Sequence, residues 1–436
     1  MKKLAIMILF SFALAATATA QMNSTTSTGK DYYVSQHLGK GRLGSKEKPA
    51  KDLAAIASRL EAGDRVHIAQ GTYVSKAGRG TDILEVPVSI IGGYADDFSI
   101  RDPWGKHQTI LSGTNDYQKS ETSERLGILT DKKFRTWKGA IKIDGIIVDN
   151  GARNRYKTDA KKLILRKANG ALGQAATPSS AGIKVRVGAE TNVEITNCII
   201  TNVAASQGAL DVQIGRNGKA KIHNNLLVNN TGEGIYCKTN FHSNRDQAAF
   251  EVMNNTILFS WKFDPIATYG GSCLMMDASV NVFAKDNVFG FGEMGGVNNV
   301  KKCEALRLTS NLFVGNGIFD YREFRSDLPL EELEDYAEAL DPNSTDNFST
   351  EINLNIDKKW ASQYFNRTRL SREKVDAAVT VSNSDANQLR SMFGLNIQGS
   401  TVSMDADVFL HHMDLQAVIQ LGKVPFEGKG CSQKSM

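Results

Sequence analysis

The chain has 436 residues, with 52 Lys and Arg against 47 Asp and Glu, for a formal net charge of +5. That balance is too weak for a protein that grips nucleic acid through its phosphates. Five cysteines in a chain of this length do not make a disulfide framework, and their odd number leaves at least one thiol unpaired.

In chain order, residues 1–20 read as a signal peptide. Lys2 and Lys3 form a basic start, Leu4 to Ala16 an apolar stretch, and Ala18-Thr19-Ala20 a small-residue cleavage site. The apolar stretch falls short of the roughly 20 residues a membrane span needs, so export with cleavage is expected, to the periplasm, the cell surface or the medium. Loss of Lys2 and Lys3 lowers the net charge from +5 to +3. No later segment reads as a span. Residues 21–30 are rich in Ser and Thr and read as a flexible start.

From residue 31 the pattern becomes ordered. Tyr32-Tyr33-Val34 is a short strand signal. Leu53, Ile56, Ala57 and Leu60 then have i, i+3, i+4, i+7 spacing, which predicts a helix ending at Gly63. Strand signals follow at Arg65–Ile68, Ile90–Tyr94, Thr109–Leu111 and Ile141–Ile143. Residues 151–180 interrupt them with a basic insertion in which Arg153, Arg155, Lys157, Lys161, Lys162, Arg166 and Lys167 face Asp159 alone. Such a loop either recruits an anionic polymer or is simply solvated.

Beyond the insertion lies an imperfect repeat. Ile183, Leu210, Ile235 and Cys273 occupy corresponding positions in Gly- or Ala-led strands and recur after 27, 25 and 38 residues. Each is followed by a second strand ending in Asn, as at Asn197, Asn224-Asn225, Asn254-Asn255, Asn287 and Asn311. Strict alternation gives every strand an inner and an outer face, and no single copy buries its inner face alone. Stacked as parallel rungs, the copies align Ile183, Leu210, Ile235 and Cys273 in one inner column, with Val185, Val212, Cys237 and Met275 in the next. The recurrent Asn tolerates a tight bend while its amide bonds the rungs on either side. Past about Asp320 the pattern fades. Leu330 to Leu340 and Asp385 to Phe393 have helical character, and residues 321–436 read as a capping tail.

These features predict an all-β solenoid, a single-stranded right-handed parallel β-helix spanning 31–320 with an N-terminal capping helix and a partly helical C-terminal cap. The chain resembles the secreted pectin-lyase-like β-helix superfamily in this repeat, and its start, strand then Lys-Pro then amphipathic helix then Gly-Asp, is similar to that of many secreted β-helix proteins. The resemblance implies a substrate groove on the outer side of one strand stack, and a monomer.

The repeat register assigns two outer columns, Lys184, Asp211, Tyr236 and Leu274, and Arg186, Gln213, Lys238 and Met276. Cations, a carboxylate and a phenol thus converge on adjacent rungs. β-Elimination of a uronic acid polymer needs a cation to neutralise the sugar carboxylate, a base for the acidified proton and a donor for the leaving oxygen. Arg186 or Lys184 suits the first role, Lys238 the second and Tyr236 the third. Asp211, Gln213, and His242 and Arg245 in the following loop would border the substrate. The stretch Gly232-Glu233-Gly234-Ile235-Tyr236-Cys237-Lys238 also resembles the catalytic region of the chondroitinase B and alginate lyase family, which implies Glu233 as a calcium ligand and Lys238 as the base. Thr231 replaces that family's second Glu, and its Leu-Arg-His-Gly segment has no counterpart near Phe259 to Lys262. Two readings follow: a lyase or related enzyme acting on an acidic polysaccharide, or a non-catalytic β-helix that binds glycans or supports the envelope. Outward Lys, Asp and Tyr residues on a solenoid are ordinarily cross-rung pairs. A hydrolase built on paired carboxylates is disfavoured, because only Asp211 falls in the outer columns.

Overall fold

A computed structural model of the protein describes residues 29–75, 80–113, 124–150, 181–240, 248–261, 270–324, 326–328 and 343–351, with further stretches between 354 and 432. The signal peptide, nearly all of 21–30, the basic insertion, His242, Arg245 and the helices expected near Leu330 and Asp385 lie outside the described residues.

The strands wind repeatedly round three faces. The first face is a 9-stranded parallel sheet that begins with Asp31–Val34, Arg65–Ala69 and Ser89–Tyr94 and ends with Val280–Lys285 and Ala305–Thr309. The second and third faces share a 17-stranded sheet, in which long strands such as Leu226–Thr239 turn the corner between them. Each circuit passes from first to second to third face and returns one rung on, giving a right-handed parallel β-helix. Register follows alternation on the first face: Val193, Ala220, Phe250, Val282 and Leu306 stack inward in one column. One buried cluster runs from Tyr32 to Leu328 through the bore. Each fully buried Val, Leu or Ile in it stabilises the fold by about 1.5–3 kcal/mol.

The bend between first and second faces uses two successive residues. The first takes left-handed backbone: Asn197 (φ 54°), Asn224 (55°), Asn254 (52°), Asp286 (53°), Ser310 (55°) and Asp346 (58°). The second forms a ladder. The Oδ1 of Asn225, Asn255, Asn287, Asn311 and Asn347 each accepts the backbone N–H of the corresponding residue one rung earlier, at 3.0–3.1 Å. Each amide also donates to an earlier carbonyl, as Asn255 does to Ile222 at 2.9 Å.

The expected capping helix closes as two single-turn 3-10 pieces, Leu53–Ala55 and Ala57–Arg59, hinged at Ile56. Their i to i+3 bonds, Ile56 N–H to Leu53 O and Arg59 N–H to Ile56 O, keep Leu53, Ile56 and Leu60 on the core end. At the other end, Phe348–Ser349 adds one more second-face strand. Met413, Phe426 and Cys431 from the C-terminal segment lie along the flank of the second face. There the helix Leu415–Leu421 buries Val418, Ile419 and Leu421 in a cluster with Ile199, Leu226, Val228 and Leu258. Second-face strands are apolar on both sides, so their outer side needs this cover. Asn202 fixes the contact, accepting the Met413 N–H and donating to the Met413 carbonyl, both at 2.8 Å. Among the described residues, no helix is long and apolar enough to cross a membrane.

Candidate functional site

The third face carries the polar columns. Ile183 pairs with Leu210 and Leu210 with Ile235, so Lys184, Asp211 and Tyr236 align outward, as do Arg186, Gln213 and Lys238. The next rung departs from the expected register, since Ile235 pairs with Leu274 and not Cys273. Leu274 and Met276 therefore point inward and are fully buried, while Met275 takes the outer place beside Tyr236. All five residues of Ser272–Met276 are buried. From Cys273 to Met276 no polar residue marks an outer side, so the sequence carried no signal for the one-residue slip.

Four of the expected residues meet. Asp211, 1 % exposed, lies between two lysines, each with Nζ 3.4 Å from its carboxylate: Lys184 and Lys238. Lys184 also reaches Glu124 at 3.2 Å. Lys238 donates to Gln207 Oε1 at 2.5 Å and sits 3.9 Å from the centroid of the Tyr236 ring. Lys301 donates to Tyr236 Oη at 2.9 Å and to Asp277 at 2.7 Å. Arg186 is held by Asp131 at 2.8 Å, and Gln213 donates to the Thr239 carbonyl.

Burial pushes the Lys238 amine below the ordinary lysine value; Asp211 opposes this and Lys184 adds to it. The neighbouring cation is thus Lys184. Burial raises the Tyr236 phenol, against the Lys301 bond. Burial also lowers Lys301, but its bonds to Asp277 and Tyr236 outweigh that and leave it above the usual lysine value.

Glu233 stands apart at the corner of the same rung. It is buried, and its two oxygens accept the backbone N–H groups of Gly270 at 3.0 Å and Ser272 at 2.9 Å. A carboxylate engaged by two donors, with no second carboxylate gathered on it, does not fit a calcium ion, which takes six to eight oxygen ligands. Among the described residues no three His, Cys, Asp or Glu side chains are placed to share a metal.

Asp131, Glu124, Gln207, Asp277 and Lys301 were not legible as site residues. Glu124, Asp131 and Lys301 lie outside the strands, where alternation assigns no direction. The basic insertion 151–180 joins the second-face strand Ile146–Asp149 to the third-face strand Ile183–Arg186, so its C-terminal end leads into the strand that carries Lys184 and Arg186.

Three-faced parallel coils with an Asn ladder decide the architecture. The fold is a right-handed parallel β-helix. No family model matches the sequence, and no curated protein does. Among solved structures the chain is similar to a rhamnogalacturonan lyase, with TM-score 0.44 and 12% identity over 85% of this chain and 100% of that one. It is similar to a pectate lyase at TM-score 0.27 and 11% identity, over 69% of this chain and 74% of the other. A lacto-N-biosidase from Eubacterium ramulus gives TM-score 0.28 and 12% identity, over 74% and 67%. At these identities the likeness concerns the fold alone.

On that scaffold the third face offers an amine held below the ordinary lysine value, a phenol held above its own ordinary value, and a partly exposed guanidinium. Such a set can move one proton off a carbon and another onto an oxygen.

Proposed function

We propose that the protein is an exported carbohydrate-active β-helix that lays an acidic polysaccharide along the third face and cleaves it by β-elimination. Arg186 binds the uronate carboxylate through guanidinium donors not used on Asp131. Lys238 removes the acidified C–H proton, and Tyr236 protonates the departing glycosidic oxygen. The observation that carries the reading is Lys238 itself, a lysine with only 13 % of its side chain exposed, 3.9 Å from the ring of the proton donor it would work with.

A second reading, glycan binding without cleavage, is favoured by one feature: Lys184 and Lys238 both neutralise Asp211, as cross-rung ion pairs do on inert solenoids. Absorbance of unsaturated uronic products separates the two. Alginate, pectate and glycosaminoglycans are incubated with the protein, with and without calcium, and at least one is expected to yield such products. Retained polymer binding with no product would establish the second reading, and product formation by Lys238→Ala would remove Lys238 as the base.

A further inference from the structure

Lys301 lies 65 residues from Tyr236 in sequence yet touches its hydroxyl. An ammonium group has hydrogens to give and no lone pair, so in this bond the phenol oxygen must accept. The hydroxyl's own hydrogen is then barred from the Lys301 side. Lys301 is itself fixed. Its Nζ is anchored on Asp277 at 2.7 Å. Its backbone sits in a turn closed by the Lys302 N–H to the Asn299 carbonyl at 3.0 Å, with Asn299 Oδ1 accepting the Cys303 N–H at 2.7 Å. Asn299 is pinned in turn by Tyr321, 3.2 Å away. A chain of contacts thus holds one ammonium group against one phenol.

We propose that Lys301 is a positioning residue, which turns the Tyr236 hydroxyl proton toward the ligand and holds the phenolate left when that proton is given up.

The catalytic meaning of this arrangement rests on the lyase reading; the orientation itself does not. In the elimination, the C–H proton passes to neutral Lys238, the electron pair forms the new C=C bond, the C–O bond breaks, and the leaving oxygen takes the Tyr236 proton. Lys238 ends as ammonium and Tyr236 as phenolate, each beside the other, and transfer of one proton between them, directly or through water, restores the starting state. Lys301 neither gives nor takes a proton. It supplies a fixed positive charge where negative charge develops.

The test is a titration that does not depend on activity. Full-length protein carrying tyrosine labelled with ¹³C at the ring Cζ is followed by NMR across alkaline pH, with Tyr236 assigned from Tyr236→Phe. Removing a bonded cation shifts a phenol upward, so Lys301→Met is expected to raise the Tyr236 midpoint by about 1 unit or more. Lys301→Arg should restore most of it, and Asp277→Asn, which loosens Lys301 without deleting it, should fall between. An unchanged midpoint in Lys301→Met, in protein with native circular dichroism, overturns the proposal; if that variant fails to fold, an unchanged midpoint in Asp277→Asn does so. Where a cleaved polymer is found, Lys301→Met should lower kcat by about 10²-fold with KM little changed. If the wild type cleaves no polymer, the lyase reading fails, and the titration still decides the role of Lys301.

Discussion

Lys238 and Asp211 meet across one rung boundary, with Nζ 3.4 Å from a carboxylate that is 1 % exposed. Lys184 meets the same carboxylate from the rung on the other side. The pairing explains why two lysines can sit side by side at 16 % and 13 % exposure. Asp211→Asn therefore leaves Lys184 to Glu124 alone and takes from Lys238 the carboxylate it shares with Lys184. A broken buried pair costs about 3–5 kcal/mol, and the urea midpoint should fall accordingly at unchanged slope. A loss below about 1 kcal/mol would mean that the cluster is effectively solvated.

The pH dependence of any cleavage follows from the same lysine. Burial lowers Lys238 from 10.5, so the fraction of neutral base rises with pH before an exposed lysine would begin to titrate. Burial raises Tyr236 above 10.0, so the acid keeps its proton through that window. The rate should climb on the alkaline side of neutrality and fall only above pH 10. A rate that falls steadily from pH 6 to 9 would contradict a lysine base.

Much of this was legible in the residues. Ile183, Leu210 and Ile235 alternate with Lys184, Asp211 and Tyr236, and in a strand that alternation fixes direction and register together. It failed at Ser272–Met276, where both sides are buried. Lys301 and Glu124 were invisible for another reason: they act from outside the strands, and their partners are set by the rise between rungs, which sequence spacing does not report. The second-face strands Leu226-Leu227-Val228 show unbroken apolar runs, a sign of burial on both sides, but nothing in them identifies the C-terminal segment as the cover.

Arg125 provides a test of the early rungs. It is fully buried, with Nη1 2.7 Å from Asp82, Nε 2.6 Å from the Ser112 carbonyl and Nη2 2.6 Å from the Tyr73 carbonyl. Arg125→Met strands the buried Asp82 carboxylate and removes a donor from the Ser112 carbonyl, while the Tyr73 carbonyl keeps the Ser112 N–H at 2.9 Å; it should cost about 3–5 kcal/mol. The double variant with Asp82→Leu should recover part of that loss, because the unpaired charge is gone. Equal destabilisation in single and double variants would show that the carbonyl bonds dominate.

The Asn ladder stops one rung short. Cys198 holds the ladder position before Asn225, and its Sγ lies 3.8 Å from the Ile143 carbonyl, the counterpart of the carbonyls that other ladder amides reach. Cys198→Asn should donate both to that carbonyl and to Asn225 Oδ1, stabilising the fold by about 0.5–1.5 kcal/mol per added bond. A lowered melting temperature would show that the thiol pocket cannot admit the larger amide.

Glu233 links stability to pH in the opposite sense to a paired surface acid. Burial raises its carboxyl from 4.5 to about 7, against the backbone N–H groups of Ser272 and Gly270. A carboxyl whose folded pKa exceeds its unfolded one binds its proton more tightly in the fold. Its contribution is therefore fully present below pH 4.5 and is lost as pH rises through about 7. Glu233→Gln has no proton to lose. Relative to wild type, that variant should gain stability as pH is raised from 4.5 to about 7, read as a narrowing gap in urea midpoints. A gap that stays constant across that range would place the Glu233 carboxyl at its ordinary value, with the two backbone donors outweighing burial.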